Sequence, residues 1–401
     1  MQSNSNIRVG ESKKRKLPQS TINTFFSQSS QKSSKRLKQN DDQQNKTQMI
    51  DITKNADEQQ IVSDQKLTKT QQKKVIQEEE KKQIGEIHQE KTLQKMFQFE
   101  LSDMKSIDDF DKLFCQIADL LLNQYVLTIN KIYKYRISEI EFYFNENNVH
   151  QDTFTHGDDL QKQMGQWYFH RFGKTYKVGT YKGMDLSFGK GPNAFGGILI
   201  RAISSLGAEG GKQLPPNEFI EGPCNSVNRI LEHNSTEKLV LKEIKDFVVL
   251  DNFKLDAFEK GSRLYLSHLN DSENEVYRKN FEPLKVWRCP RVGLTLKRFD
   301  EHKCKFWMAD YRFLIFPEKH KKMNNFIIMS MLKEKMSIPN IAKSSKSKAQ
   351  TVEEIFKNYQ KGLDEDKKKI SDFKDVDMKN EQFAFVYGLH QKASIGSKND
   401  Q

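Results

Sequence analysis

Apolar positions are spread unevenly along this chain of 401 residues. Up to about residue 92 Gln, Ser, Lys, Asn and Asp dominate, and Phe25 and Phe26 are the only aromatics. Such a stretch buries too little surface to offset the entropy of ordering, so residues 1–92 are expected to form a disordered basic arm. Within it, residues 71–90 have too few apolar positions to hold a charged helix in place. From residue 97 to about 317 come most of the aromatics and all three tryptophans, in short runs interrupted by Gly and Pro. These runs predict strands over 139–144, 165–170, 175–188, 196–203, 247–249, 264–269, 292–297 and 311–316. Residues 109–122 and 225–232 read as helices, the second opened by Gly222-Pro223, since proline suits a helix start. There is no regular alternation of strand and helix. The expected fold over residues 93–317 is therefore a mixed α/β (α+β) single domain, with a curved, mainly antiparallel sheet flanked by helices. Residues 318–401 turn lysine-rich, with helical patterns at 323–336 and 352–362, and are expected to be an appended helical or loosely ordered tail.

Charge and composition sharpen the picture. The formal net charge is +12 and 30% of residues are charged, which makes a polyanion the first class of partner to consider. No run of 18 or more apolar residues occurs and the N-terminus lacks the apolar stretch of a signal peptide. A soluble intracellular protein without membrane contact is expected. The four cysteines are widely spaced and suit reduced thiols. Cys289, His302 and Cys304 lack a CxxC pair and a fourth ligand, so no metal is expected, and no other cofactor. Lys13, Lys14, Arg15 and Lys16 form a compact basic cluster of nuclear-import type, although lysine runs also simply solvate a tail. Just after it, Gln19, Ile22, Phe25 and Phe26 resemble the PCNA-interacting box. One helical turn gathers Ile22, Phe25 and Phe26 into an apolar plug, with Gln19 beside it to hydrogen-bond. That resemblance implies the replication sliding clamp (PCNA) as a partner and work on DNA in the nucleus.

Three separated segments resemble the methylpurine (alkyladenine, 3-methyladenine) DNA glycosylase family. In the first, residues 137–143 (ISEIEFY) are similar to the family strand that carries a water-activating glutamate and, two residues on, a tyrosine that stacks on the extruded base. Glu141 is thereby the candidate general base and Tyr143 a wall of the base pocket. Residues two apart on a strand share a face, so both side chains look into one hollow. Residues 152–156 (DTFTH) resemble the segment whose histidine packs across the base, making His156 the opposite wall, although a lone histidine is more often structural. The second segment, residues 176–188, resembles the hairpin that carries a tyrosine wedge into the minor groove just before a Gly-Met pair. Gly183-Met184 is present, but Lys182 stands at the wedge position and Tyr181 one residue earlier. Downstream, residues 195–202 (FGGILIRA) match the strand whose arginine helps hold the catalytic water, which makes Arg201 the partner of Glu141. A buried ion pair between two strands is the plainer reading of the same two residues. In the third segment, residues 221–225 (EGPCN) are similar to the family's Gly-Pro helix start, with Asn225 where classical members have lysine. Residues 290–294 and 311–315 are similar to the closing strands. Tyr181, Lys182, Met184 and Arg291 are the expected DNA contacts.

Two functions are consistent with this. One is hydrolysis of the N-glycosidic bond of a modified purine in duplex DNA, which needs one carboxylate beside a cation and flanking rings. The other is a catalytically silent DNA-binding accessory subunit of a nuclear DNA-modifying complex, for example one that methylates adenine at N6. Lys182, Asn225 and the long spacing between Tyr143 and His156 motivate the second.

Overall fold

A computed structural model of the protein describes residues 92–208, 218–278, 281–296, 301–374 and 376–399. The basic arm, with Lys13 to Lys16 and the clamp-box residues Gln19, Ile22, Phe25 and Phe26, lies outside the described residues.

The first long helix, α1 (Ile107–Asn123), begins where Ser106 and Asp109 cap each other's backbone N–H groups, which satisfies donors the first turn leaves open. It leads into β1 (Tyr125–Ile129) and β2 (Tyr133–Glu146). Next come β3 (Met164–Phe169), the small hairpin β4–β5 (Arg171–Phe172 and Thr175–Tyr176), β6 (Met184–Phe188), the long β7 (Ala194–Ala208) and β8 (Phe219–Glu221). The helices α2 (Pro223–Asn234) and α3 (Ile244–Val248) precede β9 (Leu264–His268), β10 (Trp287–Cys289), α4 (Glu301–Trp307) and β11 (Arg312–Leu314). Four helices close the chain: α5 (Asn324–Lys333), α6 (Ile338–Ser345), α7 (Ala349–Asp364) and α8 (Asn380–Asn399).

Nine of the strands form one curled sheet in the order β10-β11-β2-β7-β6-β3, with β9-β1 added beside β2 and β8 beside β7. Its pairings are antiparallel. One face packs on α1, where the Phe114 ring stacks on Phe142 at 4.4 Å and Phe110 lies 5.2 Å from Phe144. Beyond the irregularity at Ser138, the even-numbered residues Ile140, Phe142 and Phe144 of β2 thus join the apolar core. Its odd-numbered residues Glu139 and Glu141 are also buried, so a charged layer is enclosed on the opposite face.

The C-terminal helices are not loosely appended. Phe326 and Ile327 of α5, Val352 and Tyr359 of α7 and Tyr387 of α8 share a second core with Trp287, Cys289 and Leu314 of the sheet. There α7 and α8 meet at Gly362 and Gly388. A Cβ on either glycine would run into the other helix's backbone, so the crossing requires both.

Several predicted elements differ. The run 175–188 is broken into β5, a turn at Gly179–Tyr181 and β6, with Gly179 at φ +61°. Residues 247–249 close the short helix α3. Residues 292–296 are irregular rather than extended, because the chain turns at Gly293 with φ +82°.

Candidate active site

The charged layer is built by register. Arg312 faces Glu141, Glu141 faces Leu199, and Leu199 faces Asp185, in one row across β11, β2, β7 and β6. Directly paired residues share a face. Arg201 reaches that face through paired irregularities. Ile137 pairs Ile203, Glu139 pairs Ala202 and Ile140 pairs Ile200, so Ser138 and Arg201 are each skipped. Bulges of this kind re-aim side chains, and the guanidinium lands between two carboxylates. Its Nε donates to Glu139 Oε1 at 2.9 Å and its NH1 to Glu141 Oε2 at 3.3 Å.

Glu141 is fully buried. The Tyr143 hydroxyl donates to its Oε2 at 2.9 Å and the backbone N–H of Val292 to its Oε1 at 2.6 Å. The turn at Gly293 places that N–H, which explains why residues 292–296 are not a strand. Each carboxylate oxygen offers about two lone pairs. Among the described residues Oε2 has two donors and Oε1 has one. Burial and the neighbouring Glu141 carboxylate push the Tyr143 phenol well above its ordinary value, so it stays a donor. Burial acts to lower the Arg201 pKa, but Glu141 and Glu139 outweigh it and hold the guanidinium charged.

Glu139, to which the sequence reading gave no role, is the other anchor. Burial acts to raise its pKa, yet Arg312 and then Arg201 hold it well below the usual carboxylate range. Arg312 Nε donates to its Oε1 at 2.7 Å.

Tyr143 is half-buried, with the Arg291 guanidinium 4.5 Å from its ring centre. His156 is exposed and stands edge-on to His170, their rings 5.4 Å apart. Partial desolvation and then His170 lower its pKa. His170 Nε2 and Asp185 Oδ1 are 2.7 Å apart, and Gln161 donates to Asp185 Oδ2 at 3.1 Å. A Cβ on Gly197 would meet that Oδ2 at 2.5 Å, so the Asp185 carboxylate lies over Gly197, the register partner of Tyr143. The structure therefore gathers Glu141, Tyr143 and Arg201 directly, and ties His156 to them only through His170 and Asp185. The signal for Asp185 was the Gly196-Gly197 pair, whose missing side chains leave room for a neighbour.

Three expected DNA contacts need correction. Arg291 is 1% exposed, with NH1 and NH2 on the Asp152 carboxylate at 2.5 and 3.2 Å and on the Phe142 and Phe306 carbonyls. It is an internal ion pair with nothing to offer a phosphate. Met184 is buried in the core because β6 alternates inward there. The Lys182 ammonium turns inward to Asn228 Oδ1 at 3.0 Å and the Lys242 carbonyl at 2.8 Å. Tyr181, by contrast, is 77% exposed, and Phe172 in the β4–β5 hairpin is 87% exposed.

Cavities of about 390 to 420 Å3 lie beside Met96 and Leu113 and among α5 to α7, away from Glu141. No helix among the described residues is long and apolar enough to cross a membrane.

Fold and site together define a mixed α/β domain that encloses a carboxylate–guanidinium layer between a curled antiparallel sheet and C-terminal helices. The chain belongs to the same family as the uncharacterized protein L759 of Acanthamoeba polyphaga mimivirus. The two are 34% identical over 227 residues, which cover 52% of this chain and 88% of the viral protein. No family model matches the chain.

Proposed function

We propose that the protein binds duplex DNA in the nucleus and hydrolyses the N-glycosidic bond of a modified purine, with its arm engaging the replication clamp. The observation that carries this reading is the Glu141 carboxylate. It is buried, paired with Arg201 and Tyr143, and among the described residues its Oε1 accepts one hydrogen bond, which leaves it a second lone pair. That oxygen takes a proton from water as the water attacks C1′ of the sugar and the C1′–N9 bond breaks; a cationic purine leaves neutral, and a neutral one leaves with the electron pair and takes up a proton from solvent. Arg201 and the Tyr143 hydroxyl hold the carboxylate in place, and the Tyr143 ring forms one wall for the base. The domain resembles the methylpurine DNA glycosylases in the order of the segments that supply these groups.

Duplexes carrying hypoxanthine, ethenoadenine or 3-methyladenine test the reading, with abasic sites scored by alkaline cleavage. Base release is expected from the native chain and is expected to fall about a hundredfold or more in Glu141→Gln. Release that survives the substitution removes Glu141 as the base.

A second reading, a silent DNA-binding subunit of a DNA-modifying complex, is favoured by the inward tie of Lys182 and the full burial of Glu141. Tight, salt-dependent binding with no release in any of the duplexes supports it.

Both readings use the same surface. Phe172 and Tyr181 project from a stretch that also carries Lys174 and Lys177 and no acidic residue from 171 to 182. Exposed rings amid cations suit insertion between base steps beside phosphates. Replacing both rings with Ala is expected to weaken duplex binding by about tenfold or more while leaving the melting temperature unchanged. Undiminished affinity in a gel-shift titration moves the DNA surface elsewhere.

A further inference from the structure

We propose that Glu139, Glu221 and His320 form a divalent-cation site suited to Zn2+. Their ligand atoms lie within 4.8 Å of one another. They are distant in sequence and form no motif, so the site is invisible before folding.

The tautomer of His320 carries the argument. Its Nε2 lies 2.9 Å from the Ile315 carbonyl oxygen. A carbonyl only accepts, so Nε2 carries the hydrogen, and a neutral ring then presents a bare lone pair at Nδ1. That nitrogen faces Glu139 Oε2 at 3.4 Å. Among the described residues neither atom has a hydrogen-bond partner, and the two residues are 3% and 1% exposed. Two lone pairs that face each other away from water repel unless a positive charge stands between them.

A proton or a metal ion could supply that charge, and two features favour the metal. Charge-assisted N–H···O bonds run at about 2.7–2.9 Å, shorter than the separation here. Ligands bound at roughly 2.0–2.1 Å in a tetrahedral arrangement stand about 3.3–3.4 Å apart, which matches it. A proton also needs no third partner, whereas Glu221 brings one. Its Oε1 accepts the backbone N–H groups of Lys321 and Lys322 at 3.0 and 2.9 Å, which leaves its second oxygen to the cluster.

The outer contacts are those of a metal site. The Nε2–H to carbonyl bond orients the imidazole, and the two guanidiniums on Glu139 Oε1 fix that carboxylate with Oε2 free. Arg201 and Arg312 both engage Glu139 through Oε1, and Glu221 adds a second carboxylate to the cluster. One imidazole with two carboxylates suits zinc and leaves a fourth position open. The ion would join β2 and β8 to the turn after β11, where the chain enters its C-terminal helices.

The test uses the full chain, stripped with a chelator and titrated with Zn2+ by calorimetry and thermal melting, with Mg2+ in parallel. Uptake of one Zn2+ per chain with a rise in melting temperature is expected, and weaker binding of Mg2+. His320→Gln and Glu221→Gln should each lower Zn2+ affinity about tenfold or more, while His156→Ala leaves it unchanged. Should His320→Gln fail to fold, the half-exposed Glu221 carries the test. No Zn2+ uptake by the stripped protein, or equal uptake by both variants, overturns the site in favour of an imidazolium at His320. These readouts do not involve base release, so the outcome stands apart from the glycosylase reading.

Discussion

Asp152→Ala is expected to destabilise the fold by about 3–5 kcal/mol, the cost of leaving a buried charge without its partner. Arg291 and Asp152 are both fully enclosed, at 1% and 0% exposure. Burial acts to lower the Arg291 pKa, but Asp152 outweighs it, so the guanidinium remains charged in the folded state. Without the carboxylate its terminal nitrogens keep only the Phe142 and Phe306 carbonyls. Those accept hydrogen bonds but cancel no charge. Urea unfolding of the two proteins measures the loss. The double variant Asp152→Leu, Arg291→Met should recover most of it, because well-packed apolar groups often replace a buried pair at little cost. A loss below about 1 kcal/mol in the single variant would show that water reaches the guanidinium and that the loop from 147 to 156 is not sealed. The pair also supports the site, since Arg291 lies against the Tyr143 ring.

What was legible in the sequence is what depends on local pattern. Helix α1 was expected over 109–122 and spans Ile107–Asn123, because its apolar spacing is local. The placement of Glu141 and Tyr143 on one face followed from strand alternation. That Arg201 would reach them rested on resemblance, since only the skipped residues at 138 and 201 turn it onto that face. The misses concern burial. Arg291, Lys182 and Met184 were given to DNA from their places in the segments that resemble the glycosylase family. Each is instead enclosed: Arg291 by Asp152, Lys182 by Asn228 with Lys242, and Met184 by the main apolar core. Glu139 was passed over for the same reason. A glutamate on alternate strand positions ordinarily faces water, and only Arg201, Arg312 and His320, brought to it from β7, β11 and the turn after β11, make it a buried anchor. The turn at 292–296 read as a strand by composition, yet its work is to point one N–H at Glu141.

Glu139→Gln is expected to cost about 3–5 kcal/mol at neutral pH, because it removes the carboxylate that Arg312 hydrogen-bonds and leaves Arg201 with only Glu141. The effect carries a signature in acid. An unfolded glutamate titrates near about 4.3, and the folded Glu139 carboxyl is held well below its ordinary range by Arg312 and Arg201 against the opposing effect of burial. The stabilisation linked to this group is therefore complete above the unfolded value and is lost as pH falls from there towards the folded one. Native protein should lose stability steeply below about pH 4.3, and the glutamine variant, which has no such proton to take up, should show a shallower slope over the same range. Urea unfolding at a series of pH values from neutral to acid measures both slopes. Parallel slopes would assign the acid sensitivity to other carboxylates and separate Glu139 from the charge layer. If the slopes diverge as expected, the same variant bears on chemistry, because Arg201 then has one carboxylate where it had two, and the pairing that holds Glu141 for its water loses its fixed geometry.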